Sequence, residues 1–179
     1  MNLITIILIL VIILGSILLF YITTYNNLME YKLRIEKAEG IIDEALRNKY
    51  DIINKLNLSI KKAIPKKDYL KEYINLKDKK ISNYEMDRKL TEAYNIILEL
   101  KEDNSTLNTK DFKKNIKKID EINETLVSCK NYFNKNTSEV NRILRRFPTK
   151  IIGKIHGLRI RPFFDGKNMQ DSVIDDFKI

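Results

Sequence analysis

"LMEYKLRIEKAEGIIDEALRNKYDIINKLNLSIKKA", residues 28–63, decides the fold class. Leu28, Tyr31, Ile35, Ala38, Ile42 and Ala45 recur in steps of three and four. Ile52, Leu56 and Ala63 continue that register, with Lys49 and Ser59 as polar breaks, and Ile41, Ile53 and Ile60 widen the stripe. A period near 3.6 puts these side chains on one face, so the spacing predicts one amphipathic helix from about Tyr25 to Ala63. Gly40 costs about 1 kcal/mol against alanine in a helix interior and is expected to mark a close helix contact. Pro65 ends the helix, because the residue before a proline avoids the helical region.

Towards the N-terminus the character changes. "NLITIILILVIILGSILLFYI", residues 2–22, contains no charge, and only Thr5, Gly15 and Ser16 interrupt its aliphatic run from Leu3 to Ile22. Twenty helical residues span about 30 Å, the thickness of a bilayer's hydrocarbon core. Tyr21 and Tyr25 stand where an interfacial aromatic belt is expected. A cleaved signal peptide would have a basic start, a shorter apolar core and a small-residue cleavage site, none of which is present. Residues 1–24 are therefore expected to be a retained transmembrane anchor that meets the bilayer through residues 3–22. No Lys or Arg precedes the run, while Lys32, Arg34 and Lys37 follow it. That asymmetry favours a cytoplasmic bundle.

Towards the C-terminus three more helices are expected. "KKDYLKEYINLKDKKISN", residues 66–83, is a shorter one with Leu70, Ile74 and Ile81 on one side. The next runs from about Tyr84 to Lys101 on a stripe of Met86, Leu90, Ala93, Ile97 and Leu100. "EDNSTLNT", residues 102–109, reads as a loop by composition. The last helix starts near Thr109, a plausible N-cap, and runs along Phe112, Ile116, Ile119, Leu126, Phe133, Val140, Leu144 and Phe147 until Pro148 stops it. Asn123, Lys130 and Thr137 also fall at or near core-facing positions. Stripes of this kind are stable only when packed, and short connections make neighbours antiparallel. The expected fold is all-α: a transmembrane helix, then an antiparallel four-helix bundle over residues 25–164, closed by a short C-terminal segment. A coiled-coil oligomer is the runner-up, but the registers break too often for a clean zipper. The acidic stretch 165–179 is expected to be a flexible tail.

"RFPTKIIGKIHGLRIRPFF", residues 146–164, follows the last helix and is both apolar and basic. Ile151, Ile152, Ile155 and Leu158 share a helical face, and Lys150, Lys154, Arg159 and Arg161 lie off it. Such a segment could lie on a membrane surface or bind nucleic acid. The preferred reading is structural: the chain turns at Pro148 and lays its isoleucines on the end of the bundle.

Composition narrows the function classes. The net charge is +9 with 32% charged residues, but Lys and Arg are interleaved with Asp and Glu, so no nucleic-acid partner is expected. One cysteine, Cys129, permits no internal disulfide, and the single histidine, His156, has no neighbouring Cys or His to share a metal with. Five glycines leave little room for a phosphate-cradling loop. Asp43, Glu44 and Asp51 near Arg47 and Lys49 read as solvated helical ion pairs. No catalytic, cofactor-binding or metal-ligating residue is expected, and no enzyme activity.

Particular residues also resemble a known family. Phe147-Pro148, the Ile151-Ile152 pair, Gly157 and the phenylalanines after it are similar to the C-terminal signature of LemA proteins. That family has Tyr-Asn pairs at the places held here by Val140-Asn141 and Phe133-Asn134, and an Arg where Lys130 stands. Residues 25–29, "YNNLM", resemble its motif after the anchor, and residues 41–56, "IIDEALRNKYDIINKL", resemble its next one. Asn54 replaces the family's proline, and the family's central Ala-Arg motif is not recognisable. The resemblance covers about residues 25–164. It implies an N-terminal membrane attachment and an all-α bundle, and carries over no catalytic residue. One branch of the family is similar to factors that shape magnetosome membranes, and some relatives attach by a lipid on the far side of the membrane, so an extracytoplasmic bundle stays open.

Two functions fit these readings. The first is a non-enzymatic interaction or scaffold protein at the bacterial cell membrane, binding a protein partner. The second is a membrane-shaping factor that uses the bundle and the Lys150–Arg161 segment against lipid. Asn134 and Asn141, seven residues apart, lie on one side of the last helix. They are expected either to be buried between helices, fixing register, or to face a partner.

Overall fold

The structure, a computed structural model, describes residues 2–65, 68–78 and 81–166. Among the described residues five α-helices follow one another: α1 (Leu3–Ala63), α2 (Lys71–Ile74), α3 (Asn83–Asp103), α4 (Lys110–Arg145) and α5 (Thr149–Ile155). Among the described residues there is no strand, so the chain is all-α, a helical bundle with a long apolar N-terminal helix. It divides into two compact units, residues 38–132 and residues 1–37 with 133–179.

The unit of residues 38–132 is built on the predicted stripes. Ile42, Leu46, Ile53, Leu56 and Ile60 of α1, Leu90, Ala93 and Ile97 of α3, and Ile119 and Leu126 of α4 are all buried. Each large aliphatic side chain so buried contributes roughly 1.5–3 kcal/mol of transfer free energy, which is why these faces turn inward. The caps are local. Ser82 Oγ accepts the Glu85 N–H at 3.2 Å to start α3, and Thr109 Oγ1 accepts the Phe112 N–H at 3.2 Å to start α4. Both side chains satisfy donors that the first helical turn leaves free. Between these helices, Ser105–Leu107 is a 3-10 turn that sends Leu107 into the core.

Two expectations fail in this unit. The second helix is one α turn followed by a 3-10 turn, Asn75–Asp78, rather than a helix over residues 66–83. Residues 66–67 and 79–80 lie outside the described residues. The tighter 3-10 winding shifts the inward position, so Leu70 and Leu76 are buried while Ile74 and Ile81 are half-buried. The Tyr50 hydroxyl donates to the Ile74 carbonyl at 2.6 Å where the α turn ends. Gly40 marks no helix contact, since a Cβ there would meet nothing within 4 Å.

In the other unit, α1 begins with an apolar stretch whose side chains from Leu3 to Phe20 are all exposed. Its most apolar 18-residue window has a mean hydropathy of 3.3 with no residue buried, so the helix is long and apolar enough to cross a membrane. Burial starts at Thr24 and continues with Leu28 and Ile35. Phe133, Asn136, Thr137, Val140 and Asn141 of α4 are also buried, as are Ile152 and Gly153 of α5. A Cβ on Gly153 would stand 2.2 Å from Leu144 Cδ2, so the missing side chain is what lets α5 lie so close to α4. α5 ends where Gly157 turns left-handed at φ 65°. The Gly157 N–H then bonds the Lys154 carbonyl at 3.2 Å and the Leu158 N–H bonds the Gly153 carbonyl at 2.9 Å. These two bonds satisfy carbonyls that would otherwise be orphaned at the helix end. The expected flexible tail falls mostly on residues 167–179, which lie outside the described residues.

Candidate functional site

Two asparagines on α4 hold the segment that follows α5. Asn141 Nδ2 donates to the Arg161 carbonyl at 2.7 Å, and its Oδ1 accepts the Arg161 N–H at 2.9 Å. One turned-in amide side chain thus satisfies both backbone groups of a single residue, as a neighbouring strand would. Seven residues earlier on the same face, Asn134 Oδ1 accepts the Phe164 N–H at 2.9 Å. The Phe133 and Phe164 rings meet edge to face at 6.3 Å. Both asparagines were expected to join helix to helix or to face a partner. Instead they clasp backbone outside any helix, which is how a segment with no helical bonds of its own is fixed in place.

The clasp sets where α5 lies. His156, at the end of α5, has Nε2 2.7 Å from the Tyr21 hydroxyl, and its ring lies 4.3 Å from that of Tyr25. Tyr21 is the penultimate residue of the apolar run. The single histidine therefore ties α5 to the place where that run ends.

The isoleucines of α5 do not all pack down as expected. Ile152 is buried at 5% exposure, but Ile151 is 47% and Ile155 66% exposed, with Phe147 at 76% beside them in sequence. The physical reason is the closing device: backbone bonds to Asn141 and Asn134 hold the segment, so only one isoleucine is needed against the unit. An open groove of about 890 Å³ is left beside α5, floored by Leu144, Ile151, Leu158 and Ile160 and edged by Lys150, Lys154 and Arg159.

A second polar cluster lies inside the unit of residues 38–132. Lys49 of α1 is 1% exposed. Its Nζ donates to Thr91 Oγ1 at 3.0 Å and lies 3.7 Å from Asp87 Oδ1. The other Asp87 oxygen accepts from Lys130 Nζ of α4 at 2.7 Å. One carboxylate on α3 thereby serves ammonium groups from α1 and α4. Burial holds Lys49 below the ordinary lysine range, an effect that Asp87 opposes and Lys130 reinforces. The expectation of a solvated ion pair fails for Lys49, although it holds for Asp43 and Arg47, which pair at 2.9 Å on the surface. Lys49 sits at a break in the apolar stripe, and sequence alone reads such a break as a surface position. The same unit contains Tyr94, whose hydroxyl donates to Asp120 Oδ1 at 2.6 Å; burial, then this bond, raises it well above the usual tyrosine range.

Neither cluster brings an activated nucleophile to a cleft. The Lys49 ammonium is sealed from solvent, and the asparagine clasp is occupied by the chain's own backbone. Chemically, the first locks three helices together and the second positions a basic and apolar surface.

Comparison with protein-family models matches the LemA family over residues 38–175. No curated protein and no solved structure matches the chain. The match begins past the Tyr25–Met29 stretch and runs beyond Phe164. It takes in the Lys49–Asp87–Lys130 lock, the asparagine clasp and α5. Since it spans more than three quarters of the 179 residues, the chain belongs to the LemA family.

Proposed function

We propose that the chain is a non-enzymatic, single-pass protein of the bacterial cell membrane, anchored by residues 3–22, whose bundle is a scaffold for a protein partner. One observation underlies this reading. The apolar segment and the first bundle helix are a single uninterrupted helix of 61 residues, so whatever anchors the one holds the other. The basic residues Lys32, Arg34 and Lys37 after the apolar run favour a cytoplasmic bundle. Exposed Leu58 and Val127 supply apolar contact area for a partner. A photo-crosslinking residue at position 58 or 127, in membranes of producing cells, tests the scaffold role. Discrete heavier adducts are expected from at least one position. Crosslinking no stronger than from the surface position Lys117 would overturn it.

The second reading, a factor acting on the membrane itself through the Lys150–Arg161 segment, gains support from the His156–Tyr21 bond. That bond keeps the segment beside the end of the apolar run.

A further inference from the structure

We propose that the groove floored by Leu144, Ile151, Leu158 and Ile160 and edged by Lys150, Lys154 and Arg159 binds the headgroup of an anionic phospholipid. The inference rests on the reading that residues 3–22 enter a bilayer, and it names the ligand of the surface that reading leaves at the membrane.

Charge is the first ground. The groove's lining has three cations and no carboxylate. Lys150, Lys154 and Arg159 form no ion pair among the described residues, whereas Lys32, Arg34, Arg142 and Arg161 each lie by a glutamate. The adjoining pocket of about 280 Å³, lined by Lys32, Arg159 and Arg161, also lacks a carboxylate, but Glu36 pairs with both Lys32 and Arg161. The one of about 420 Å³ lined by Asn48, Lys55 and Lys118 also has Asp51 and Glu121, so its charges are mutually compensated. Three uncompensated cations over an aliphatic floor suit a ligand with phosphate at one end and hydrocarbon at the other.

Position is the second ground. The Tyr21 hydroxyl meets His156 Nε2 at 2.7 Å, and Tyr21 stands at the end of the apolar run. The polar headgroup layer extends about 5–7 Å beyond the hydrocarbon on each side. Lys150 is six residues from His156, about 9 Å along α5. With α5 lying near the membrane plane, Lys150 and Lys154 therefore reach the headgroup layer. Exposed apolar side chains are the third ground. Phe147, Ile151, Ile155 and Ile160 are between 45% and 76% exposed on this one short segment. In an interfacial layer those side chains leave water.

Hydrogen exchange of α5 amides tests the proposal, on the full chain in nanodiscs of phosphatidylcholine alone or with about one third phosphatidylglycerol. Retention of the chain in the discs on size exclusion reports separately on whether residues 3–22 insert. The α5 amides are expected to exchange at least about tenfold more slowly with phosphatidylglycerol present. A variant with Lys150→Gln, Lys154→Gln and Arg159→Gln should show no such difference, while the Arg161 and Phe164 amides stay protected as evidence that it folds. Equal exchange of the parent chain in both lipids would overturn the proposal, and so would a variant that keeps the full effect. Slowing by millimolar glycerol phosphate in phosphatidylcholine discs would also overturn it, by assigning the groove to a free anion. If removal of residues 167–179 speeds exchange in phosphatidylcholine alone and phosphatidylglycerol has no effect, the tail's carboxylates fill the groove instead.

Discussion

Replacing Asp87 by alanine removes the carboxylate between two ammonium groups, one of them 1% exposed. Loss of one partner from a buried ion pair costs roughly 3–5 kcal/mol, because the remaining charge is stranded. Here the Lys49–Asp87 separation is 3.7 Å and Thr91 Oγ1 still bonds the amine, so the lower end applies, about 3 kcal/mol. Lys49→Met should be far milder, between no change and about 1 kcal/mol of stabilisation. It removes the desolvated charge, leaves the Asp87–Lys130 contact, and frees the hydroxyl of Thr91, an exposed residue, to turn to water. In the Lys49→Met background, Asp87→Ala should cost only about 1 kcal/mol, because Lys130 has a side-chain exposure of 27% and is readily hydrated. The cycle thus predicts a coupling of about 2 kcal/mol. Urea unfolding of the full chain in mild detergent, followed by helical circular dichroism, measures all four corners. The pH dependence is a second readout. Burial lowers Lys49 in the folded state, so the unfolded chain binds more protons above the folded pKa. Loss of Asp87 lowers it further, and the single variant should regain stability as pH rises towards 10.5. A cost below about 1 kcal/mol for Asp87→Ala, or an equal cost in both backgrounds, would refute a buried three-helix lock.

Asn141→Ala removes both hydrogen bonds to the backbone of Arg161, a half-buried residue whose freed groups water can partly reach, so a loss of about 2 kcal/mol is expected. Exchange of the Arg161 amide should speed up about 30-fold, while Asn134→Ala should expose chiefly the Phe164 amide. Tyr94→Phe should cost roughly 1 kcal/mol at neutral pH, since Asp120 is exposed and is hydrated once its partner is gone. The raised Tyr94 group makes the folded parent hold its proton where the unfolded chain, titrating near 10, releases it. The parent should therefore lose stability above pH 10, and the variant should lose less over the same titration.

Legibility in the sequence followed the range of the forces at work. The stripes on α1, α3 and α4 were readable because a single periodic face was buried, and Ser82 and Thr109 bond backbone only three residues away. Thr109 reads as a cap from the sequence; Ser82 does not, because the pattern places it inside the second helix, although Glu85 three residues later is a capping signal. Leu76 was missed because a 3-10 turn changes the angular step that the pattern assumes. Lys49 was misread because its partners, Asp87 and Thr91, lie about forty positions away and leave no local mark. The asparagine clasp was half legible. The seven-residue step showed a shared face, but not that this face would take up backbone twenty and thirty positions later. The exposure of Ile151 and Ile155 was unreadable for the same reason, since the segment is held by backbone rather than by apolar packing.

On the proposed function, residues 3–22 cross a membrane and leave the bundle on one side. With Cys129→Ala removing the native thiol, single cysteines at Asn2 and Ser105 can be probed in intact cells with a membrane-impermeant thiol reagent. Labelling is expected at position 2 in intact cells, and at position 105 only after lysis. Labelling of both positions, or of neither, in intact cells would place the two ends on the same side and contradict the proposed crossing.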